Sequence, residues 1–370
     1  MNPRWRRFFL AAACIALLAI TGLFLSRRTS SSLPGLTAKD RTLLRIWVVN
    51  SPGGGQAWLN GQLKQFEQRH PGISTWVRTV SASEFAAPDA ILPDVVLYMP
   101  GDVSDPSTLF LPLSGEGTAV LREELLRCGR WRNQQYGLPL CWGAWVLAID
   151  SALEPGSATT PAPTTLLGRP AATQDASSTP EPTYPLAAAR QMDCALQSPG
   201  GAALFTLALM LQEHPPLPES FGTLTSGEVY AAFQRRQCAT AMLTTGQAIA
   251  FAGLTSGGSG FPHRIMVADE VITDQVWLAS LTEDAPREAA LLLSFLTSAD
   301  GQKSLSAQGL HTVRDNLTLY ATGMSAQVEQ AAHRSLTALN AYTSPATVHS
   351  AAWQFFNSRL TLSEALLPLM

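Results

Sequence analysis

The rhythm of apolar and polar positions changes several times along the chain. Phe8 to Leu25 is an uncharged apolar run of 18 residues, preceded by Arg4, Arg6 and Arg7. At about 1.5 Å per residue, a helix of that length just covers a hydrocarbon core of roughly 30 Å. The positive-inside rule puts the arginine-rich end in the cytoplasm and the remaining chain outside. The run ends Gly22-Leu23-Phe24-Leu25-Ser26-Arg27-Arg28, with no small-residue cleavage pattern. Residues 1–28 therefore read as an uncleaved anchor rather than a removed signal peptide, and residues 29–44 as a linker. Cys14 lies inside the apolar run, too early to serve as a lipid-modified tether.

Beyond the linker the pattern is that of an α/β protein. Leu43 to Val49 is a short run of strand formers that stops at the turn residues Asn50-Ser51-Pro52-Gly53-Gly54-Gly55. Leu59, Leu63 and Phe66 then recur at helical spacing over Ala57–Arg69, until His70-Pro71-Gly72 ends the helix. Ile73–Val80 predicts a second strand and Pro93–Tyr98 a third. This order predicts a mainly parallel sheet, whose ligands sit at the carboxyl ends of the strands. The loops 50–56 and 98–102 are therefore the ones to watch.

Residues 151–185 are rich in Pro, Ala, Ser and Thr and show no hydrophobic period, so they read as an irregular excursion. Ordered signals resume at Leu186–Leu196. Gly200–Leu211 predicts a buried helix, Ser226–Arg236 another, and Cys238–Leu243 a strand. Gly253–Gly260 is a glycine-serine loop. Ile265–Val267 and Gln275–Leu281 predict strands, Pro286–Leu296 a helix, and the tail from Met324 to Leu369 is mostly helical.

Composition narrows the function. At 370 residues the chain is long enough for two lobes, each with its own core. Charged residues are only 14% of it, and the net charge is -3, so no basic stripe is present for nucleic acid. Four cysteines follow the anchor: Cys128, Cys141, Cys194 and Cys238. Outside the cytoplasm they allow three pairings, with Cys194–Cys238 the first to test, or they are isolated buried thiols. No C-x-x-C or His/Cys cluster points to zinc, and no cofactor or metal is expected. Six histidines occur without H-x-x-x-H, and G-x-S-x-G is absent, so nothing singles out an enzyme.

Four stretches resemble the solute-binding proteins of ABC importers, the family that includes maltose- and oligosaccharide-binding proteins. They are Leu44–Trp47 with the glycine loop and Phe66–Ile73, then Pro93-Asp94-Val95-Val96, then Tyr136-Gly137-Leu138-Pro139 with Trp145–Asp150, and last Glu288–Gly309. Two departures stand beside them. Pro163–Leu167 replaces a threonine-tryptophan helix start, and Gly246-Gln247-Ala248 lacks a tryptophan that the family often has there.

The resemblance implies a two-lobed periplasmic-binding-protein-like fold with hinge crossovers, preceded here by one transmembrane helix. Lobe 1 is expected at 45–138 and 264–320, and lobe 2 at 139–263 and 321–370. It also implies a small ligand, possibly a carbohydrate in class, closed between the lobes, and permease subunits as membrane partners. The chain is then a monomer with its globular part on the extracytoplasmic side. Candidate ligand contacts are Ser51, Gly53 and Gly54, where bare N–H groups approach a ligand, or else form a plain turn. Tyr98 and Met99 end the third strand. Trp142 lies on the implied cleft-facing crossover, Gln247 near a family contact position, and Trp277 closes the cleft or packs in the core. A membrane-tethered sensor or interaction protein on the same scaffold is one alternative, and an uncharacterised cleft enzyme is the other.

Overall fold

The computed structural model describes residues 41–87, 91–114, 118–151, 196–211 and 221–370. The apolar run 8–25, the linker ahead of residue 41, the stretch 152–185 and Cys194 lie outside them. No helix among the described residues is long and apolar enough to cross a membrane.

Strand β1 (Thr42–Val48) buries Leu44, Ile46 and Val48 beneath α1 (Gly55–Arg69), which contributes Leu59, Leu63 and Phe66. β2 (Ile73–Thr79), α2 (Ala82–Phe85), β3 (Val95–Tyr98) and α3 (Glu123–Cys128) follow, then β4 (Arg130–Trp131), β5 (Gln134–Gln135) and β6 (Leu138–Trp142). At Gly143 the chain crosses to β7 (Trp145–Asp150). The second lobe continues with β8 (Leu196–Gln197), α4 (Ala202–Met210), α5 (Ser226–Gln234), β9 (Thr240–Thr244), α6 (Thr245–Ser256) and β10 (His263–Met266). β11 (Val271–Thr273) crosses back to β12 (Val276–Leu281), α7 (Arg287–Leu296), α8 (Ala299–Lys303) and α9 (Gly323–Arg334). β13 (Leu336–Ala338) makes a third crossing, to α10 (Pro345–Phe356) and α11 (Leu362–Leu366).

The first lobe's sheet has the order β2-β1-β3-β12-β6, and the second lobe's β10-β7-β9-β8. Within these two sheets only β2-β1-β3 and β8-β9 pair in parallel. The expected mainly parallel sheet is therefore corrected, and the hinge is the reason. β12 enters from the hinge and runs away from the cleft, against β3 and β6, which run toward it. β7 likewise enters the second lobe from the hinge and runs against β9 and β10.

The crossings also fall at other residues than expected. β6 belongs to the first lobe through Trp142, because it pairs with β12 as far as that residue. β10 keeps the chain in the second lobe through Met266, because it pairs with β7. Helix α9 packs in the first lobe, where Val328, Ala331 and Ala332 join its core. Only α10 and α11 complete the second core, through Ala352, Phe356 and Leu366 beside Phe205. Two smaller differences have local causes. Helix α6, opened by the Thr244/Gln247 capping box, runs on to Ser256 and takes in the first residues of the expected glycine-serine loop, and β13 interrupts the expected helical tail by pairing with β11.

The crossings are laced side by side. Thr273 Oγ1 donates to Gly143 O at 2.7 Å, and Gly143 N–H donates to Gln275 O at 2.8 Å. Leu339 N–H donates to Thr273 O at 2.9 Å. In the β11–β13 pair, Val271 and Leu336 face the first core, whereas Ile272 and the following Leu339 face the second. Period-two alternation thus feeds both cores from one ribbon.

Cys128 and Cys141 are buried thiols of the first lobe, and burial pushes Cys128 up to about 12. Cys238 is buried among Val229, Phe233 and Phe251. Its expected pairing with Cys194 lies outside the described residues.

Thr273→Val removes the hydroxyl that bridges Gly143 O and the Gln275 N–H. It is expected to cost about 1–3 kcal/mol in denaturant unfolding, since both groups lose a buried partner. An unchanged midpoint would show that the lacing is not stabilising.

A second test concerns His311, which is fully buried against Trp142, at 4.6 Å between ring centroids. Burial holds its imidazole below the ordinary 6.5, against the opposing pull of Glu329. With a folded value below the unfolded one, the unfolded chain binds more protons as pH falls through 6.5, so stability is lost there. His311→Gln is expected to flatten the fall in melting temperature between pH 7 and the mildly acidic range. An identical slope in both proteins would exclude His311 as its source.

Candidate functional site

Between the lobes lies a cleft of two chambers that share Pro100 and Asp274. The first holds about 380 Å³ and is lined from one lobe by Asn50, Ser51, Gly53 and Met99, and from the other by Ser226, Thr244, Gly246 and Gln247. The second holds about 410 Å³ and runs past Gly200, Gly201, Asn340 and His349. The carboxyl ends of β1, β3 and β9 all open onto the first chamber, which is why their loops line it.

Each loop is held by named contacts. Asn50 O accepts from Trp277 Nε1 at 2.8 Å, and Asn50 Oδ1 accepts from Ser51 N–H at 2.9 Å. The left-handed φ of 82° at Gly54 opens α1 with no side-chain cap. A Cβ there would stand 2.9 Å from Gln308 O, so glycine is required at this position. Met99 N–H donates to Asp102 Oδ2 at 2.8 Å. Burial pushes the Asp102 carboxyl above its ordinary value, while Met99 N–H and the Asn50 side chain pull it down.

Gln247 is fully occupied as a donor. Its Nε2 donates to Ser226 O and Oγ at 3.1 and 2.9 Å, and its Oε1 accepts from Thr244 N–H at 3.0 Å. Gln247 thus ties α6 to α5, and its side chain shapes the wall.

Asp274 is the one acidic or basic side chain among the described lining residues, His349 aside. Its Oδ1 accepts from Trp145 Nε1 and Gln275 Nε2, each at 2.9 Å. Its Oδ2 accepts from Ala202 N–H at 3.1 Å, at the start of α4, where a carboxylate opposes the helix dipole. Gly201, with φ 69°, leaves room for it, since a Cβ would sit 2.8 Å from Oδ2. Both carboxylate oxygens are therefore committed to the protein, and the free groups of the cleft are hydroxyls, amides and backbone.

Of the expected contacts, Ser51, Gly53, Met99 and Gln247 line the first chamber, whereas Gly54 packs behind it against Gln308. The three aromatic candidates are corrected to core positions. Tyr98 is fully buried, with its Oη 2.9 Å from both Ser280 Oγ and Tyr342 Oη. Trp142 is 1% exposed, and its Nε1 donates to Thr312 O at 2.8 Å. Trp277 is fully buried edge-on to Trp58 and supports the Asn50 loop from behind. All three sit on inner strands of the five-stranded sheet or on the strand that His311 covers, so neither sheet face leaves them in the cleft. No aromatic side chain other than His349 lines the cleft among the described residues.

Sequence reasoning missed Asn50, Asp274, Gln275 and the Gly200–Gly201 wall. The sequence offers only Asp274-Gln275 where a predicted strand begins and Pro199-Gly200-Gly201 where a very apolar helix begins, and neither singles out a cleft residue. No group of three or more His, Cys, Asp or Glu able to hold a metal occurs among the described residues.

The lobes touch at the rim. A Cβ on Gly246 would lie 3.5 Å from Gly53 O, one on Gly309 2.6 Å from Ile249 Cδ1, and one on Gly101 2.9 Å from Pro345 Cγ. At Gly101 the close approach requires bare glycine, whereas Gly246 has room for a Cβ but not for a long side chain against Gly53. Gly246→Leu, at a right-handed helical position, is expected to wedge the rim apart and raise the radius of gyration in small-angle scattering. An unchanged radius would mean that the rim contact does not limit closure. Asp274→Ala is expected to cost about 1–3 kcal/mol, because Trp145 Nε1 and Ala202 N–H lose their acceptor. A loss below a few tenths would show that water replaces the carboxylate.

No family model matches the sequence, and no curated protein matches it significantly. Solved structures do match the fold. The GacH receptor of Streptomyces glaucescens, solved unliganded and with acarbose, superimposes with a TM-score of 0.57 at 12% identity, over 88% of this chain and 96% of that one. Maltose-bound MalE3 of T. maritima gives 0.56 at 13%, over 88% and 97%. Iron-bound HitA of Pseudomonas aeruginosa gives 0.52 at 17%, over 86% and 99%. The described chain thus has the two-lobed fold of the solute-binding proteins of ABC importers, as the resemblance in its sequence implied.

Proposed function

We propose that the chain is an extracytoplasmic solute-binding protein, anchored by residues 8–25, that captures a small neutral polar ligand for an ABC permease. The observation that carries this reading is the interlobe cleft itself. It is lined by hydroxyls, amides and backbone, and its one carboxylate is already engaged. An anion would be desolvated there without a counter-ion, and a cation would meet only Asp274, whose oxygens already accept three hydrogen bonds, whereas a polyhydroxylated ligand exchanges water hydrogen bonds for protein ones. Carbohydrate fits this chemistry, and the acarbose and maltose bound in similar structures point the same way. It would be held by hydrogen bonds rather than by ring stacking. The missing aromatic platform favours one second reading, a tethered sensor that closes on its ligand without transport.

Closure follows as a population shift, since a ligand touching both lobes binds the closed form better. The chain acts as a monomer in this reading, with its globular part outside the cell membrane. A melting screen of residues 38–370 against neutral sugars, polyamines, amino acids and peptides tests it. A ligand at about 100 times its Kd stabilises the fold by about 2.7 kcal/mol. The expected result is a shift with a neutral polar compound that disappears in Ser51→Trp, which fills the first chamber. A shift only with charged compounds, or one that survives Ser51→Trp, would reject the reading. Pull-down of a permease with the ligand-loaded protein supports transport, and its absence supports the sensor.

A further inference from the structure

One face of the first lobe's sheet, closed at Trp47, is left open at the amino end of β1. In the parallel β1–β2 ladder, Leu43 stands opposite Ser74 and Arg45 opposite Trp76. Opposed residues share a face and successive ones alternate, so these four lie on one side of the sheet. Leu44 and Thr75 turn the other way, where Thr75 Oγ1 donates to Glu67 of α1 at 2.7 Å. On the open side Leu43 is 56% and Trp76 49% exposed. Ile91, 81% exposed, precedes the segment whose Asp94 N–H donates to Arg45 O. Apart from Leu367 and Met370 at the C-terminus, these are the three most exposed large apolar side chains among the described residues.

The position of this face says what covers it. β1 begins at Thr42, and residues 26–41 separate it from the apolar run that ends at Leu25. A coil of that length spans about 22 Å on average. Leu43 lies at the amino end of β1 and Ile91 four residues ahead of β3, opposite the carboxyl ends that open onto the cleft. The face nearest the anchor is therefore the one that turns the cleft away from it. Tryptophan with aliphatic neighbours is the residue set that settles at the headgroup level of a bilayer. Charge adds little, since Arg45 pairs with Asp94 and Arg78 with Glu84.

We infer that Leu43, Trp76 and Ile91 form a lipid-contacting surface that rests the first lobe base-down on the bilayer, with the cleft open to the outside. This inference rests on the anchored reading of residues 8–25. It places ligand capture in the membrane-resting posture, and engagement of a permease requires the lobe to lift.

The test uses the full chain in phosphatidylcholine vesicles, with and without brominated acyl chains. Carbonate extraction is run first, because release of the chain would reject the anchor and this surface together. With the chain retained, Trp5 and Trp76 are the tryptophans expected within reach of bromine. Trp76→Phe is then expected to lower the lipid-quenchable emission about twofold, while Trp353→Phe in the other lobe leaves it unchanged. Leu43→Asp with Ile91→Asp is expected to reproduce the loss, and added salt to have no effect. Retention with quenching unaltered by Trp76→Phe overturns the surface alone. So does a Trp76 shielded from both bromolipid and acrylamide, which would mark a cover made of protein.

Discussion

The structure depends on three chain crossings that are hydrogen-bonded to one another. Gly143, Thr273 and Leu339 each belong to a different crossing, and the Thr273 side chain and carbonyl bind the other two. Because β11 and β13 feed alternate side chains to the two cores, neither lobe can move without bending this ribbon. Hinge motion is then confined to a few residues, while each lobe moves as a body. The same constraint explains the sheets. Strands that leave the hinge must run away from the cleft and strands that return must run toward it, so both sheets are mixed.

The cleft inherits its chemistry from that hinge. Asp274 sits on the second crossing, yet it caps a helix of the second lobe and accepts from the indole of Trp145. It is a positioning carboxylate that ties the second crossing to the second lobe, with both oxygens committed to protein donors. The buried aromatics act in a similar way. Trp277 holds the Asn50 loop and Trp142 stacks on His311 beside the first crossing, so what they give the cleft is the shape of its wall.

Much of the scaffold was legible because its signals are local. The run Leu44-Arg45-Ile46-Trp47-Val48, the Leu59/Leu63/Phe66 spacing and the turn at His70-Pro71-Gly72 each specify an element within a few residues. The loops after β1 and β3 followed from the rule that ligands meet strand carboxyl ends, and Ser51, Gly53 and Met99 do line the cleft. What was not legible depends on partners distant in sequence. Whether a tryptophan on a strand faces a cleft or a core is decided by the strand beside it. For Trp142 that neighbour is β12, with His311 on the other side, both more than a hundred residues away. Asp274 was invisible for the same reason, since nothing near it in sequence announces the helix start at Ala202. The crossing points shifted because pairing, not composition, ends a lobe.

The central claim is that a ligand held between the lobes sets their separation. The most direct measurement is the distance distribution between spin labels at the exposed positions Gln65 and Ser256, one in each lobe, recorded by pulsed electron resonance with and without a neutral polar ligand that stabilises the protein. The account predicts a longer or broader distribution without ligand that collapses to one short distance with it. A single unchanged distance under both conditions would contradict the claim, leaving a rigid two-lobed scaffold whose cleft does not close on what it binds.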